Sequence, residues 1–177
     1  MFLRRLSRWQ AEGERDDVAD LYVEAMRDVP GPRPLDRGEF ARRFVDHVVQ
    51  QPGFDMMVAG DPALAGSAYG HRADRGGPWW ESYQEVPVEL DELTSARQVF
   101  AVAGLLVAPR QRRNQVGTRM LSELLARADA SLAIAVLDPG NVPALTAFQS
   151  WGWTKAGQLT PRDAAPPLEA WARRLGR

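Results

Sequence analysis

The sequence predicts an α/β domain in which apolar strands alternate with amphipathic helices. Residues 99–107 are nearly all apolar, as expected of a central strand that is covered on both faces. Beyond an arginine-rich turn, apolar residues recur at helical spacing over residues 116–128. A second buried strand is expected at residues 132–137. The 177 residues suffice to bury a sizeable core, so we expect a single domain over residues 1–177.

The composition excludes several classes of function. The 22 basic and 23 acidic residues nearly balance, so no overall field draws the chain to nucleic acid or to an anionic membrane. The absence of cysteine excludes disulfides, thiolate metal sites and a covalent cysteine mechanism. Neither a signal-peptide pattern nor a run of about 18 apolar residues occurs. We therefore expect a cytoplasmic monomer or homodimer whose partners are small molecules or other proteins.

The amino-terminal part predicts one strand and then a helix. Residues 2–9 alternate loosely between apolar and polar, which indicates a first strand, and residues 12–17 are expected to form a polar turn. An amphipathic helix follows over residues 18–26. The Pro-Gly-Pro sequence at residues 30–32 ends it.

A strong start signal marks the second helix. Asp36 as N-cap and Glu39 three residues later form a capping box, and the helix should run to about Gln50. His47 lies seven residues after Phe40, which predicts that it shares the apolar side of this helix. A histidine at such a position is expected to be a core or boundary residue rather than a catalyst.

The next part predicts a hairpin and then a long irregular segment. Residues 54–59 and 64–70 flank a Gly-Asp-Pro turn, which is typical of a hairpin. Between residues 71 and 97 the apolar pattern breaks, and three aromatic residues stand among carboxylates. Either they pack back onto the domain, or they form the wall of an acceptor-substrate pocket whose carboxylates attract a protonated amine. The aromatic residues are Trp79, Trp80 and Tyr83.

The stretch from Leu105 to Leu121 joins the apolar strand to the next helix. A loop that opens a helix directly after a strand leaves several backbone N–H groups without intrahelical partners, and these suit a phosphate. Arg110, Arg112 and Arg113 add positive charge. The loop is poor in glycine, which excludes the phosphate-binding loop of NTPases and the dinucleotide fingerprint.

The carboxyl-terminal part predicts a second turn and helix, followed by two strands. A turn at residues 138–141 follows the second buried strand, and Asn141 can cap a short helix that runs through Ser150. Gly152 is expected to end this helix. Residues 153–159 and 170–175 are candidate closing strands.

Two motifs resemble those of one family, the GCN5-related N-acetyltransferases (GNAT). Their acetyl-CoA signature follows strand four and has the form Val-x-Pro-x-x-Arg-Gly-x-Gly-x-Gly/Ala. This chain matches it at Val107, Pro109, Arg112, Val116 and Gly117. The family's second motif, Asn-x-x-Ala followed by a short helix that ends in Gly-Phe, is matched at Asn141, Ala144, Ala147, Phe148, Gly152 and Trp153.

Two signature glycines are replaced in this chain. Arg113 and Gln115 stand at those positions. Because backbone amides bind the phosphate, side chains are tolerable there if they point to solvent and φ stays negative.

The resemblance implies a fold and a cofactor site. The expected fold is a mixed sheet of about seven strands with helices on both faces, in which strands four and five splay into a V. The pantetheine arm of acetyl-CoA would pair with strand four, the pyrophosphate would sit on the loop amides, and no metal is expected. The implied cofactor-binding residues are Leu105, Leu106, Val107, Arg112, Arg113, Asn114, Gln115, Val116, Gly117, Thr118, Asn141, Ala144 and Phe148.

The resemblance leaves the catalytic acid and base open. Phe148 stands where many members have a tyrosine that protonates the leaving thiolate, and Gly104 stands where some have a glutamate base. A main-chain amide near Leu106 would stabilise the oxyanion. An amine must lose a proton before it attacks, so a carboxylate or a histidine is expected near the acceptor. The candidates are Glu81, Glu85 and His71.

The function implied is transfer of the acetyl group of acetyl-CoA to a primary amine of a small molecule or a protein. Because the chain has no cysteine, the amine would attack directly in a ternary complex. Two alternatives stay open: a catalytically degenerate acyl-CoA-binding or regulatory module, and an unrelated α/β protein that binds a nucleotide phosphate.

Overall fold

A computed structural model of the chain shows a mixed sheet of seven strands. The structure describes residues 1–30, 33–60, 62–76, 78–112, 114–160 and 166–176. The strands are β1 (Leu3–Leu6), β2 (Asp55–Ala59), β3 (Gly66–Arg72), β4 (Val99–Val107), β5 (Leu132–Leu137), β6 (Thr154–Leu159) and β7 (Leu168–Arg174). Their order is β1-β2-β3-β4-β5-β7-β6, with β4 and β5 parallel. The predicted fold class is confirmed.

Helices lie between β1 and β2, between β3 and β4, between β4 and β5, and between β5 and β6. They are α1 (Arg8–Gly13), α2 (Arg15–Met26), α3 (Arg37–Arg43), α4 (Pro78–Glu81), α5 (Val88–Ser95), α6 (Val116–Ala126) and α7 (Val142–Ser150). A π-helical turn, Phe44–Val48, continues α3, and a short 3-10 helix, Pro109–Gln111, follows β4. The described chain packs as two compact units, Met1–His71 with Val102–Ala128, and Arg72–Ala101 with Asp129–Arg177.

The core of the first unit is organised by a row of aromatic rings. Tyr22 stacks on Phe40 with ring centroids 4.2 Å apart, and Phe44 meets Tyr69 edge to face at 5.3 Å. These rings belong to α2, α3, the π-helical turn and β3, so they tie the helices to the sheet. Full burial of such a side chain contributes about 1.5 to 3 kcal/mol. The row therefore accounts for much of the stability of this unit.

The second unit has its own core, which includes the aromatic segment after β3. Tyr83 packs among Leu90, Ile134 and Leu159. Its hydroxyl donates to the main-chain oxygen of Ala156 at 2.6 Å, and its burial raises the pKa of the phenol to about 12.

The prediction that residues 71–97 form an irregular segment is wrong in part, because β3 extends to Arg72 and the helices α4 and α5 lie within the segment.

The chain on either side of Tyr83 pairs with β6. Gln84 N donates to Gln158 O at 3.2 Å, and Thr160 N donates to Ser82 O at 2.7 Å. A bulge in β6 at Gly157, where φ is 139°, makes room for the Tyr83 ring. This short pairing fixes the position of the segment that carries the tryptophans.

Two predictions for the amino-terminal part are wrong. The first strand ends at Leu6, and helix α1 covers most of the predicted extension to Trp9 and the start of the predicted polar turn. The cause is a capping box in which Ser7 Oγ accepts from Gln10 N at 3.2 Å and Gln10 Oε1 accepts from Ser7 N at 2.9 Å. Helix α2 then begins at Arg15.

The second helix begins as predicted but changes its geometry before its end. Asp36 Oδ1 accepts from Glu39 N at 2.8 Å, which confirms the N-cap. At Val49 the main-chain N–H donates to Phe44 O, five residues back, at 3.0 Å. This wider turn shifts the helical register. His47 is consequently exposed, and its predicted place on the apolar side is wrong.

Two glycines allow close packing around β4 and α6. A Cβ at Gly66 would lie 2.5 Å from Met120 Cε, so this glycine lets α6 lie close against β3. A Cβ at Gly104 would lie 2.2 Å from Cζ of Tyr69. Because the ring of a buried tyrosine cannot move aside freely, Tyr69 and Gly104 determine how β3 and β4 fit together.

We expect Gly104→Ala to lower the free energy of unfolding by about 1 to 3 kcal/mol, because the new methyl group overlaps the Tyr69 ring. Denaturation in urea, followed by tryptophan fluorescence, measures the change. Gly13→Ala is the control, since no atom lies within 4 Å of a Cβ at Gly13. The double variant Tyr69→Leu with Gly104→Ala should recover part of the loss. Equal stability of Gly104→Ala and the unmodified chain would contradict this packing.

Candidate active site

The carboxyl-terminal half of β4 is apolar but incompletely covered. Leu106 is buried, whereas Ala103 is exposed and Leu105 and Val107 are half-buried. The predicted full coverage of this strand is therefore wrong for its second half. Apolar surface left open on a central strand is typical of a place that a ligand covers.

The chain turns sharply between β4 and α6. Gln115 adopts φ 58° and ψ 19°, the left-handed conformation that favours glycine. The negative φ under which a side chain would be tolerable here is therefore not observed. Gln115 thus takes a backbone conformation suited to the signature glycine that it replaces, although its Cβ makes that conformation unfavourable by about 1 to 2 kcal/mol.

The start of α6 has no side-chain cap. Gln115 is the N-cap residue, and its side chain makes no capping hydrogen bond. Arg119 N donates to Gln115 O at 3.0 Å, and the amides of Val116, Gly117 and Thr118 precede it in the first turn. Such a first turn presents N–H groups and the positive end of the helix dipole, which together suit an anion.

Two of the predicted loop arginines contact α2. Arg112 Nη2 donates to the main-chain oxygen of Ala25 at 2.6 Å, and Arg110 Nη1 pairs with Glu24 Oε1 at 3.1 Å. Both contacts lie in the last turn of α2, where positive charge is favourable. The loop is thereby anchored to α2 within the first unit. Arg113, the third predicted arginine, lies outside the described residues.

The remaining predicted loop residues lie along the start of α6. Asn114 is exposed, and its Nδ2 donates to Gln111 Oε1 at 3.1 Å. Val116 is buried in the core, Gly117 is half-buried, and Thr118 is exposed. The first unit therefore brings together the predicted strand residues, Leu105 to Val107, and the predicted loop residues that the structure describes.

The second predicted motif is in the second unit and has the expected local structure. Asn141 Oδ1 accepts from Ala144 N at 3.3 Å, which confirms Asn141 as the cap of α7. Gly152, with φ 86°, ends the helix, and Trp153 N donates to Phe148 O at 3.1 Å. This pattern is a Schellman motif. Phe148 is buried against Trp153, with ring centroids 4.9 Å apart.

A tyrosine that the sequence reading did not single out lies beside β4. The hydroxyl end of Tyr69 covers Gly104. Gly104 is the strand-four position at which some members of the resembled family have a glutamate base. Burial raises the pKa of Tyr69, so the phenol is neutral at physiological pH. The signal in the sequence is one large residue among small ones, Gly-Ser-Ala-Tyr-Gly at residues 66–70.

The predicted acceptor-side residues are distributed along one segment. Trp79 and Trp80 are half-buried with ring centroids 5.4 Å apart, and both pack on the core of the second unit. Glu81 and Glu85 are exposed. His71 is half-buried near the end of β3. The roles of these residues in acceptor binding and proton transfer stay predictions.

Two kinds of feature are absent from the described ranges. Those ranges hold no group of three or more His, Cys, Asp or Glu side chains that could bind a metal ion. They also hold no helix with the length and apolar character needed to cross a membrane.

The fold is shared with several solved structures. An aminoglycoside 6'-acetyltransferase of type Ii is 17% identical, with a TM-score of 0.68 over 100% of this chain and 99% of that chain. A phosphinothricin acetyltransferase from Sinorhizobium meliloti, solved with acetyl-CoA, is 20% identical, with a TM-score of 0.63 over 99% and 88%. A GNAT-like decarboxylase in complex with isobutyryl-CoA is 18% identical, with a TM-score of 0.65 over 99% and 100%.

Comparison with sequence families gives the assignment. No curated protein sequence matches the chain. The model of the acetyltransferase (GNAT) family matches residues 15–153, which include the uncovered half of β4, the turn at Gln115 and the capped helix α7. The chain belongs to the GNAT acetyltransferase family.

Proposed function

We propose that this protein is an acetyl-CoA-dependent N-acetyltransferase that acts on a primary amine. The observation that carries the proposal is the start of α6, whose N-cap side chain makes no capping hydrogen bond, a short loop after an apolar and half-covered strand. A pyrophosphate and an extended pantetheine arm need these two surfaces in this order. Membership of the family and the acetyl-CoA in the similar phosphinothricin acetyltransferase support the choice of cofactor.

Each part of the cofactor has a proposed contact in the first unit. The pyrophosphate accepts hydrogen bonds from the amides that follow Gln115, and Gly117 leaves room for the phosphate oxygens beside the helix. The pantetheine amides pair with the main chain of Leu105 and Val107, as an added strand would. Arg110 and Arg112 hold the loop against α2, so they help to fix the position of these amides.

The reaction that we propose is direct transfer. The amine nitrogen attacks the thioester carbon, the C–N bond forms, and the C–S bond breaks. The Leu106 amide donates to the oxyanion, and the leaving thiolate takes a proton from water, because Phe148 has no proton to give. The proton that the attacking amine must lose passes to one of the predicted bases, His71, Glu81 or Glu85, directly or through water.

We expect acetyl-CoA to stabilise the folded chain. At a hundredfold excess over Kd the gain is about 2.7 kcal/mol, which corresponds to a rise in Tm of about 5 to 10 °C. Gly117→Val should reduce CoA affinity at least tenfold, because a branched side chain blocks the approach of the phosphate. Gly117→Ala is the matched control for helix propensity. The cofactor assignment fails if millimolar CoA leaves the Tm of the unmodified protein unchanged.

The left-handed turn at Gln115 can be tested separately. Gln115→Gly removes the unfavourable Cβ but adds backbone entropy to the unfolded chain, so stability should change by less than about 1 kcal/mol and CoA affinity should be kept. Gln115→Val should destabilise the chain by about 1 to 3 kcal/mol and weaken CoA binding, because a β-branched residue fits this conformation poorly. Isothermal titration with CoA measures the affinity. Wild-type behaviour of Gln115→Val would exclude the turn.

We expect Trp80→Ala to lower kcat/KM for the acceptor by about tenfold to a hundredfold, a loss of about 1.4 to 2.8 kcal/mol of transition-state binding. CoA affinity should stay the same, because the proposed wall contacts the amine and not the nucleotide. Trp9→Ala is the matched control, since Trp9 is 82% exposed on α1. An equal loss of CoA affinity and turnover would mean that Trp80 only packs the core.

Thiol release from acetyl-CoA, assayed with a panel of primary amines, separates the enzyme from a degenerate acyl-CoA-binding module. The module is the second candidate, because Phe148 is a buried phenylalanine and lacks the phenol that would protonate the thiolate. CoA-dependent stabilisation without thiol release for any amine would favour it. Stabilisation by ATP but not by CoA would favour a nucleotide-phosphate binder.

A further inference from the structure

A cavity of about 230 Å³ lies within the second unit, between α5 and the strands β5, β6 and β7. Its floor is apolar and takes one side chain from each strand, Leu132 of β5, Ala156 of β6 and Ala172 of β7. Leu90 of α5 forms an apolar wall. The two alanines leave space above the strands because their side chains are short. The cavity can therefore take a small apolar group.

The strand register places a cation at the edge of this floor. Arg174 stands opposite Leu132 in the pairing of β7 with β5, and Ala172 stands opposite Thr154 in the pairing of β7 with β6. Residues two apart on a strand share a face of the sheet, so Arg174 is on the same face as Ala172. Both Arg174 and Thr154 are exposed and line the cavity. They mark its mouth, where it meets solvent.

Glu89 of α5 adds the opposite charge to the mouth. Arg174 Nη1 and Nη2 pair with Glu89 Oε1 and Oε2 at 2.5 Å and 2.7 Å. The side chains of Arg174 and Glu89 are 73% and 53% exposed, so water screens their attraction and the pair contributes little to stability. A guanidinium group has five N–H donors, of which this pair uses two. Both charges are therefore accessible to a ligand that enters the cavity.

The size and the charges of the cavity define the class of ligand. Sites for drug-sized ligands have volumes of roughly 300 to 1,000 Å³, so this cavity suits a smaller molecule. A small molecule with a single charge would meet one attractive and one repulsive group at the mouth. A zwitterion meets two attractive groups, and an apolar side chain on it would cover the floor. A free aliphatic amino acid combines these properties.

We propose that this cavity binds a free α-amino acid with an aliphatic side chain. The carboxylate of the amino acid accepts hydrogen bonds from Arg174, its ammonium group donates to Glu89, and its side chain lies against Leu90 and Ala172. Hydrogen bonds between charged groups are stronger than neutral ones. The proposal does not rest on the proposed function, because the strand and loop that we assign to the cofactor belong to the first unit.

The first test compares three probes that differ by one charged group. L-leucine carries both charges, 4-methylpentanoate lacks the ammonium group, and 3-methylbutylamine lacks the carboxylate. Isothermal titration of the unmodified protein without CoA measures the affinity of each probe. We expect leucine to bind at least about tenfold more tightly than either analogue, because each analogue loses one set of charge-assisted hydrogen bonds.

The second test removes one charge of the mouth at a time. Glu89→Gln and Arg174→Gln should each lower Tm by no more than about 4 °C, because the pair is exposed. Each should weaken leucine binding at least about tenfold. The preference between the two analogues should also shift in opposite directions, toward 4-methylpentanoate in Glu89→Gln and toward 3-methylbutylamine in Arg174→Gln. A pair that only supports the fold would not change this preference.

Arg75→Gln is the matched control. Arg75 Nη2 pairs with Asp91 Oδ1 of the same helix α5 at 2.7 Å and is similarly exposed, but neither residue lines the cavity. This variant should bind leucine as the unmodified protein does. Ala172→Val tests the floor, since valine suits a strand but reduces the space above it. It should weaken the binding of leucine more than that of alanine, whose side chain is shorter.

Three results overturn the proposal. One is that millimolar leucine gives neither heat of binding nor a rise in Tm. Another is that an analogue with one charge binds the unmodified protein as tightly as leucine does. The third is that leucine binding is unchanged in Glu89→Gln, Arg174→Gln and Ala172→Val, which would place the amino acid at a different site. CoA-dependent stabilisation, measured separately, tests the proposed function whatever the result for leucine.

Discussion

An uncapped helix start directly after a central strand is the constraint on which the first unit depends. Helix α6 begins a short loop after β4, and the side chain of its N-cap residue makes no capping hydrogen bond. Gln115 turns the chain in a left-handed conformation, and Gly66 lets α6 approach β3 closely. Arg110 and Arg112 fasten the loop to α2. Together these features fix the start of α6, where we propose that the pyrophosphate binds.

One unfavourable local feature lies where we propose that the cofactor binds. The left-handed Gln115 is disfavoured by its Cβ. Proteins tolerate such features when the rest of the fold determines them, and they recur at functional sites. The Gly104 and Tyr69 pair differs, because it improves packing and occupies the space that a strand-four carboxylate would need. A catalytic base for the proposed reaction would therefore have to come from an element other than β4.

Some local signals in the sequence were sufficient to predict the bounds of strands and helices. Strands β4 and β5 have the predicted bounds, because long apolar runs ended by proline are unambiguous. Asn141 and Gly152 mark the two ends of α7, since caps act through local hydrogen bonds. The capping box at Ser7 was equally local and present in the sequence, but the loose alternation of residues 2–9 obscured it.

The sequence by itself determined the order of the strands along the chain and the family, because periodicity, caps and motif spacing act over short distances along the chain. Only the tertiary structure decided that Arg112 contacts α2 and that Tyr69 covers Gly104. Contacts between residues far apart in sequence depend on how helices and strands pack. No local pattern of residue types specifies the direction in which a long side chain finally points.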